Sequence, residues 1–204
     1  IQPSMQLIDI FNECLDKSNS LSKGKLCEIS KDDSRDDKTI VADFGSYETR
    51  IGFAGELSPR RTFRTVIGRP KYQGNMPGMR DCIGDDAIYN SSKFSLSYPI
   101  EEGHVSNWDQ MDRIINFAFF NELRVDPSEH SILISEKIGS MKWEREHNIE
   151  VLFETYKVPS FCMVNSSVLD VYSTGRYTGF AVDIGYQSTT FAPVVDGFHI
   201  PALS

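Results

Sequence analysis

Two short runs hold the residues best suited to chemistry. Val41-Ala-Asp43-Phe-Gly45 and Ala181-Val182-Asp183-Ile-Gly185 share the pattern apolar, Asp, x, Gly, with the aspartates 140 positions apart. Each run lies between stretches that read as strands, so each marks a tight turn. Such a turn aims successive backbone N–H groups at one point and makes an anion-binding nest. Glycine is needed where the backbone must approach a phosphate or adopt positive φ. The aspartate would repel a phosphate directly, but it can order the water shell that Mg²⁺ prefers to keep. Two such hairpins facing one another would clamp a polyphosphate. A lone Asp-x-Gly is usually just a turn; recurrence in matching strand contexts gives the pattern its weight.

The elements that must position these turns alternate between strand and helix. Thr39-Ile-Val-Ala42 and Arg50-Ile-Gly-Phe-Ala54 read as strands around the first turn. Residues 69–84 are rich in Gly and Pro and read as a loop region. Ser106–Leu123 reads as a helix capped by Ser106 or Asn107, with Met111, Ile114, Ile115 and Ala118 inward. Ser131–Ile134 is a short buried strand. Lys142–Tyr156 is a helix with Ile149, Leu152, Phe153 and Tyr156 on one face. Phe161–Val164 is a strand, and Ser166–Thr174 a helix stopped by Gly175. Gly179–Val182 and Thr189–Val195 flank the second turn. This order predicts an α/β fold whose helices cover a mixed sheet that begins with an antiparallel meander.

Residues 1–38 differ from the rest. Leu7, Ile8, Phe11, Cys14 and Leu15 fall on one face of a short amphipathic helix over residues 4–18. That helix either packs on its own domain or docks on a partner. The charged run Lys31–Lys38 reads as a solvated linker. The chain opens on Ile1 rather than Met, as a segment or a processed product would.

Composition removes several classes. The 204 residues carry a net charge of −8, which argues against nucleic acid as a main partner. No apolar run approaches the ~18 residues of a membrane span. Cys14, Cys27, Cys82 and Cys162 form no C-x-x-C pair and read as free thiols of a reducing compartment. His104, His130, His147 and His199 are scattered without zinc-ligand spacing.

Longer runs resemble a known family. Asp43-Phe-Gly-Ser-Tyr-Glu-Thr-Arg-Ile-Gly-Phe-Ala-Gly55 is similar to the first phosphate loop of actins. Ile67-Gly-Arg-Pro-Lys-Tyr-Gln-Gly74 resembles the approach to their DNase-binding loop. Tyr98-Pro-Ile-Glu-Glu-Gly-His-Val-Ser-Asn-Trp-Asp109, Phe120–Val125 and Phe153–Pro159 continue the likeness, nearly collinear from Thr39 to Ala202. The resemblance implies an actin-like, ribonuclease-H-like fold with two domains around a nucleotide cleft. On that pattern 39–66 and 99–176 form subdomain 1, 67–98 subdomain 2, and 177–204 the beginning of subdomain 3.

The resemblance also implies a site, and this sequence departs from it. Actins hydrolyse ATP with a water placed by a Gln and a His, and hold Mg²⁺ through water with aspartates. Asp43 and Asp183 keep the metal positions, and Gly45, Ser46 and Gly185 keep loop positions. Arg50 replaces the phosphate-contacting Lys. Ser166 stands at the catalytic Gln position and Thr190 at the catalytic His position. Ser166 is too short to orient the attacking water, and Thr190 carries no proton near neutral pH. Tyr47 and Tyr186 add bulk where phosphates would sit. ATP or ADP with Mg²⁺ is therefore a cofactor to bind at most, not to hydrolyse.

The expectation is a non-catalytic actin-related structural subunit of a larger, cytoskeletal assembly, in the cytoplasm or on an axoneme or motor complex. Two alternatives stay open: an ATP-binding conformational switch, and a nuclear actin-related subunit of a chromatin-remodelling complex. Partner contacts are expected through residues 4–18 and the 73–84 loop. That loop is shorter than in actins and holds Pro77, which argues against ordinary self-polymerisation.

Overall fold

The computed structural model describes residues 38–71 and 80–200. The amphipathic stretch 4–18, Cys14, Cys27 and most of the 73–84 loop lie outside the described residues.

The main sheet has five strands among the described residues. β1 (Ile40–Phe44), β2 (Glu48–Phe53) and β3 (Arg61–Arg64) form an antiparallel meander. β9 (Ile132–Glu136) and β10 (Phe161–Asn165) then add parallel to β1. The mixed α/β sheet read from the sequence is thus present. Ile40, Ala42, Ile51, Ile132 and Ile134 from this sheet are buried against Ile114, Ile115, Phe119 and Leu152 from two covering helices. The β-branched isoleucines among them suit a pleated surface packed on its faces.

The segment 69–84 read as loop contains more order than its Gly and Pro content predicted. β4 (Ile67–Pro70) runs into it and β5 (Cys82–Ile83) ends it, and both join β6 (Phe94–Ser97) in a separate sheet ordered β5-β4-β6. Pro70 lies past the two residues of β4 that pair with β5, so only β6 borders it and it stands as on an edge strand, where a missing N–H is tolerated. Gly68 is needed in β4: a Cβ would stand 3.0 Å from Ala87 and 3.1 Å from Phe94. Ala87 belongs to the short helix α1 (Asp85–Tyr89). β7 (Ile100–Glu101) and β8 (His104–Val105) form a small hairpin turning through Glu102 and Gly103.

The two covering helices share an unexpected feature. α2 (Trp108–Asn116) is capped by Asn107, whose side chain accepts the Gln110 N–H, and continues as a π-helix over Phe117–Leu123. α3 (Lys142–Glu150) continues as a π-helix over Val151–Thr155. In α2 the predicted inward residues Met111, Ile114, Ile115 and Ala118 are all buried. In α3 the expected face is corrected. Leu152 and Tyr156 are buried, but Ile149 and Phe153 are 43% and 42% exposed, and Val151 is buried instead. The Tyr156 N–H donates to the Val151 carbonyl five residues back, so the wider turn rotates the face away from strict 3.6-residue spacing.

Glu144 joins α3 to the β7–β8 hairpin. Buried to 5% exposure, it accepts from the Met141 N–H at the helix start, from the Val105 N–H, and pairs with His104 Nδ1 at 3.2 Å. α4 (Ser166–Ser173) follows β10 directly. The Asn165 side chain caps it by accepting the Ser167 N–H, and Gly175 at φ 73° ends it. Val168, Val171 and Tyr172 of α4 pack on Ala181, Ala192 and Val194 from the last sheet, β11 (Gly179–Ile184), β12 (Thr189–Val195) and β13 (Phe198–His199). The opposite face of that sheet leaves Phe180, Val182, Ile184, Phe191 and Phe198 exposed. Among the described residues no helix is long and apolar enough to cross a membrane.

Candidate functional site

The two Asp-x-Gly runs form equivalent hairpins. In the first, Asp43 pairs with Arg50 and Phe44 with Thr49; in the second, Asp183 pairs with Thr190 and Ile184 with Thr189. Each loop has four residues. The Gly45 N–H donates to the Glu48 carbonyl at 3.1 Å, and the Gly185 N–H donates to the Ser188 carbonyl at 2.9 Å. A Cβ on Gly45 would lie 2.8 Å from the Glu48 oxygen, and one on Gly185 3.1 Å from the Ser188 oxygen. Glycine is thus fixed by the closeness of the turn itself. The repeat seen in the sequence is a repeat in backbone geometry.

The hairpins face one another through their tips. The Tyr47 and Tyr186 rings approach with centroids 4.8 Å apart. The Arg64 guanidinium sits 3.4 Å from the centre of the Tyr47 ring. A second set of contacts fixes the second loop. Lys137 Nζ donates to Ser188 Oγ at 2.6 Å and to the Glu102 carbonyl, while the Glu102 N–H donates to Gln187 Oε1 at 2.7 Å. The Lys137 side chain passes over Gly103, where φ is 84° and a Cβ would fall 2.1 Å from the lysine chain. The β7–β8 turn therefore serves as a strut for the Gly185 loop. Lys137 is not among the residues that the sequence singles out. No spacing rule marks a lysine that bridges a backbone carbonyl and a serine 51 residues on.

Around Asp43 the side chains are already engaged. Asp43 accepts from Ser135 Oγ at 2.5 Å and from Arg50 Nη1 at 3.3 Å. Arg50 also pairs with Glu48, so its charge faces two carboxylates. Ser166 is the first residue of α4. One turn further on the same face is Asp170, whose carboxyl is held above the usual range by burial and then by the charges of Asp183 and Asp43. Asp170 thus feels the charges of both hairpin aspartates from an exposed position on α4. Asp170 was missed from sequence, although its spacing of four from Ser166 places both on one helix face.

A chain with this hairpin pair, sheet order and helix placement can be set beside known proteins. The actin family profile matches residues 34–203.

The chain belongs to the actin family.

A putative actin-29 of Dictyostelium discoideum is 40% identical over 178 residues, covering 85% of this chain and 46% of that protein. The chain therefore spans about half the length of the curated relative it matches. The actin family generally binds ATP or ADP with Mg²⁺, and the residues here can be tested against that ligand. A polyphosphate lying between the two actin-type loops would meet the Tyr47–Tyr186 pair. A hydrated Mg²⁺ would compete with Arg50 and Ser135 for Asp43. In this arrangement the side chains do not fit the group. Among the described residues no cluster of three or more His, Cys, Asp or Glu side chains has metal-holding geometry.

Proposed function

We propose that this actin-family chain is a non-catalytic structural subunit of a larger protein assembly, cytoskeletal and cytoplasmic in setting. The observation that carries the reading is the engagement of Asp43 by Arg50 and Ser135, and it is supported by Ser166 and Thr190, which the actin resemblance aligns with the two water-handling positions. Neither hydroxyl takes a proton near neutral pH, and general-base help contributes orders of magnitude in rate. On this reading the chain keeps one conformation and serves its neighbours as a fixed block.

The retention of Asp43 and Asp183 at the actin-type metal positions favours a second reading, an ATP-binding switch that closes around Mg²⁺ without hydrolysis. The experiment that separates the two uses the full chain with labelled ATP and Mg²⁺, with Asp43→Ala as control, and follows phosphate release in parallel. The structural reading expects no binding at millimolar ATP and phosphate release at the buffer rate. Binding that disappears in Asp43→Ala, with no release, would replace it by the switch. Release above background that is lost in Asp43→Ala would overturn both.

A further inference from the structure

In an actin-type cleft the ligand's phosphates are what join the two loops. Here the loops are joined by protein. Tyr47 and Tyr186 come from hairpins 139 residues apart and meet ring to ring at 4.8 Å. Such tilted pairs add to plain area burial because ring edges and faces carry opposite partial charge. Arg64 covers Tyr47 at 3.4 Å, a cation over the ring face. The Tyr47 carbonyl is fixed as well, accepting the Thr65 N–H at 3.1 Å, so the first tyrosine rises from an anchored turn. On the other side, Lys137 and the Glu102 N–H hold Ser188 and Gln187, so the second tyrosine also rises from an anchored turn.

We propose that Tyr47 and Tyr186, backed by Arg64 and by the Lys137–Ser188 strut, form a ligand-free clasp. It occupies the gap between the loops and couples them in place of a polyphosphate. This deepens the structural-subunit reading and rests on it for its purpose, but its physical content is separate. The clasp couples two loops whether or not the chain hydrolyses anything. A chain built this way holds its two sides together at any nucleotide concentration, which suits a subunit that must not change shape with energy charge.

The test reads the amide hydrogen exchange of Gly45 and Gly185 in the full chain, each bonded only within its own turn. Tyr47→Ala is expected to speed exchange at Gly185, and Tyr186→Ala at Gly45, by about three- to tenfold. The double variant should add little to the larger single effect. Tyr47→Phe should match wild type, because the ring and not the hydroxyl makes the contact. Both tyrosines are exposed, at 37% and 66%, so the fold should survive their loss. Substitutions that disturb only their own loop would overturn the clasp. So would protection of both wild-type loops by magnesium tripolyphosphate, which would show the gap open to the ligand. Coupled loops with phosphate release from ATP would sink the structural-subunit reading alone; uncoupled loops without release would sink the clasp alone.

Discussion

The Asp43 hairpin and the Asp183 hairpin have the same frame in different surroundings. β1 lies in the middle of a five-stranded sheet, and its aspartate is bonded from two sides. β11 lies at the edge of a three-stranded sheet, next to side chains such as Ile184 that are 79% exposed. Across from the aspartate stands Arg50 in one hairpin and Thr190 in the other. The backbone is the same in both places because the turn requires glycine. The side chains differ because the turn geometry alone does not select them. A duplicated turn thus shows which part of a site is architecture and which is chemistry.

The largest break in this comparison should come from Gly45→Ala. Its Cβ would meet a backbone oxygen at 2.8 Å within a central hairpin, and we expect a loss of about 2–3 kcal/mol by denaturant unfolding. Gly185→Ala, at 3.1 Å and on an edge hairpin, should cost about half as much. Equal losses would mean that the two turns are equally tight in solution. Ser135→Ala should cost about 1 kcal/mol, because it removes a donor from a charged acceptor that the Asp183 hairpin does not show.

Arg50→Thr makes the first hairpin resemble the second at the paired position. The Arg50 pairs are exposed, so the loss should be about 0.5 kcal/mol and should shrink in high salt. A loss that ignores salt would show that packing, not charge, holds the arginine.

The smallest effect joins the two hairpins through α4. Asp170 is raised above its ordinary pKa of 3.8, so its charged form is the one the fold disfavours. A raised carboxyl costs nothing below its unfolded pKa, and its destabilisation grows as the pH rises from there and is complete above its folded value. Asp170→Asn should therefore gain a few tenths of a kcal/mol at pH 7, with the gain disappearing below pH ~4. A gain that persists in acid would assign the effect to packing rather than to Asp43 and Asp183.

Much of the scaffold was readable before the structure. The meander, the following parallel strands and the capped helix after Asn107 all follow from period and cap chemistry. The repeat also read true, since its backbone requirement is written in glycine. What stayed hidden depends on contacts between distant residues. Ile149 and Phe153 were assigned inward by a 3.6-residue period that a π-turn breaks, and no residue type announces such a turn. The Tyr47–Tyr186 contact needed both tyrosines to be placed in space before it could mean more than bulk. Lys137 resembled any surface lysine until its path over Gly103 was seen.

The π-turns have one more consequence, for how these helices tolerate lost residues. A π-turn reads as an α-helix that has absorbed one extra position without lengthening its chain path by a turn. Removing one residue from 117–123 or 151–155 should let the helix relax to ordinary winding while its two ends keep their faces. The same deletion within Trp108–Asn116 would rotate everything after it by about 100°. Both covering helices therefore carry a spare residue at the same end, and in a deletion series those two short stretches should be the forgiving ones.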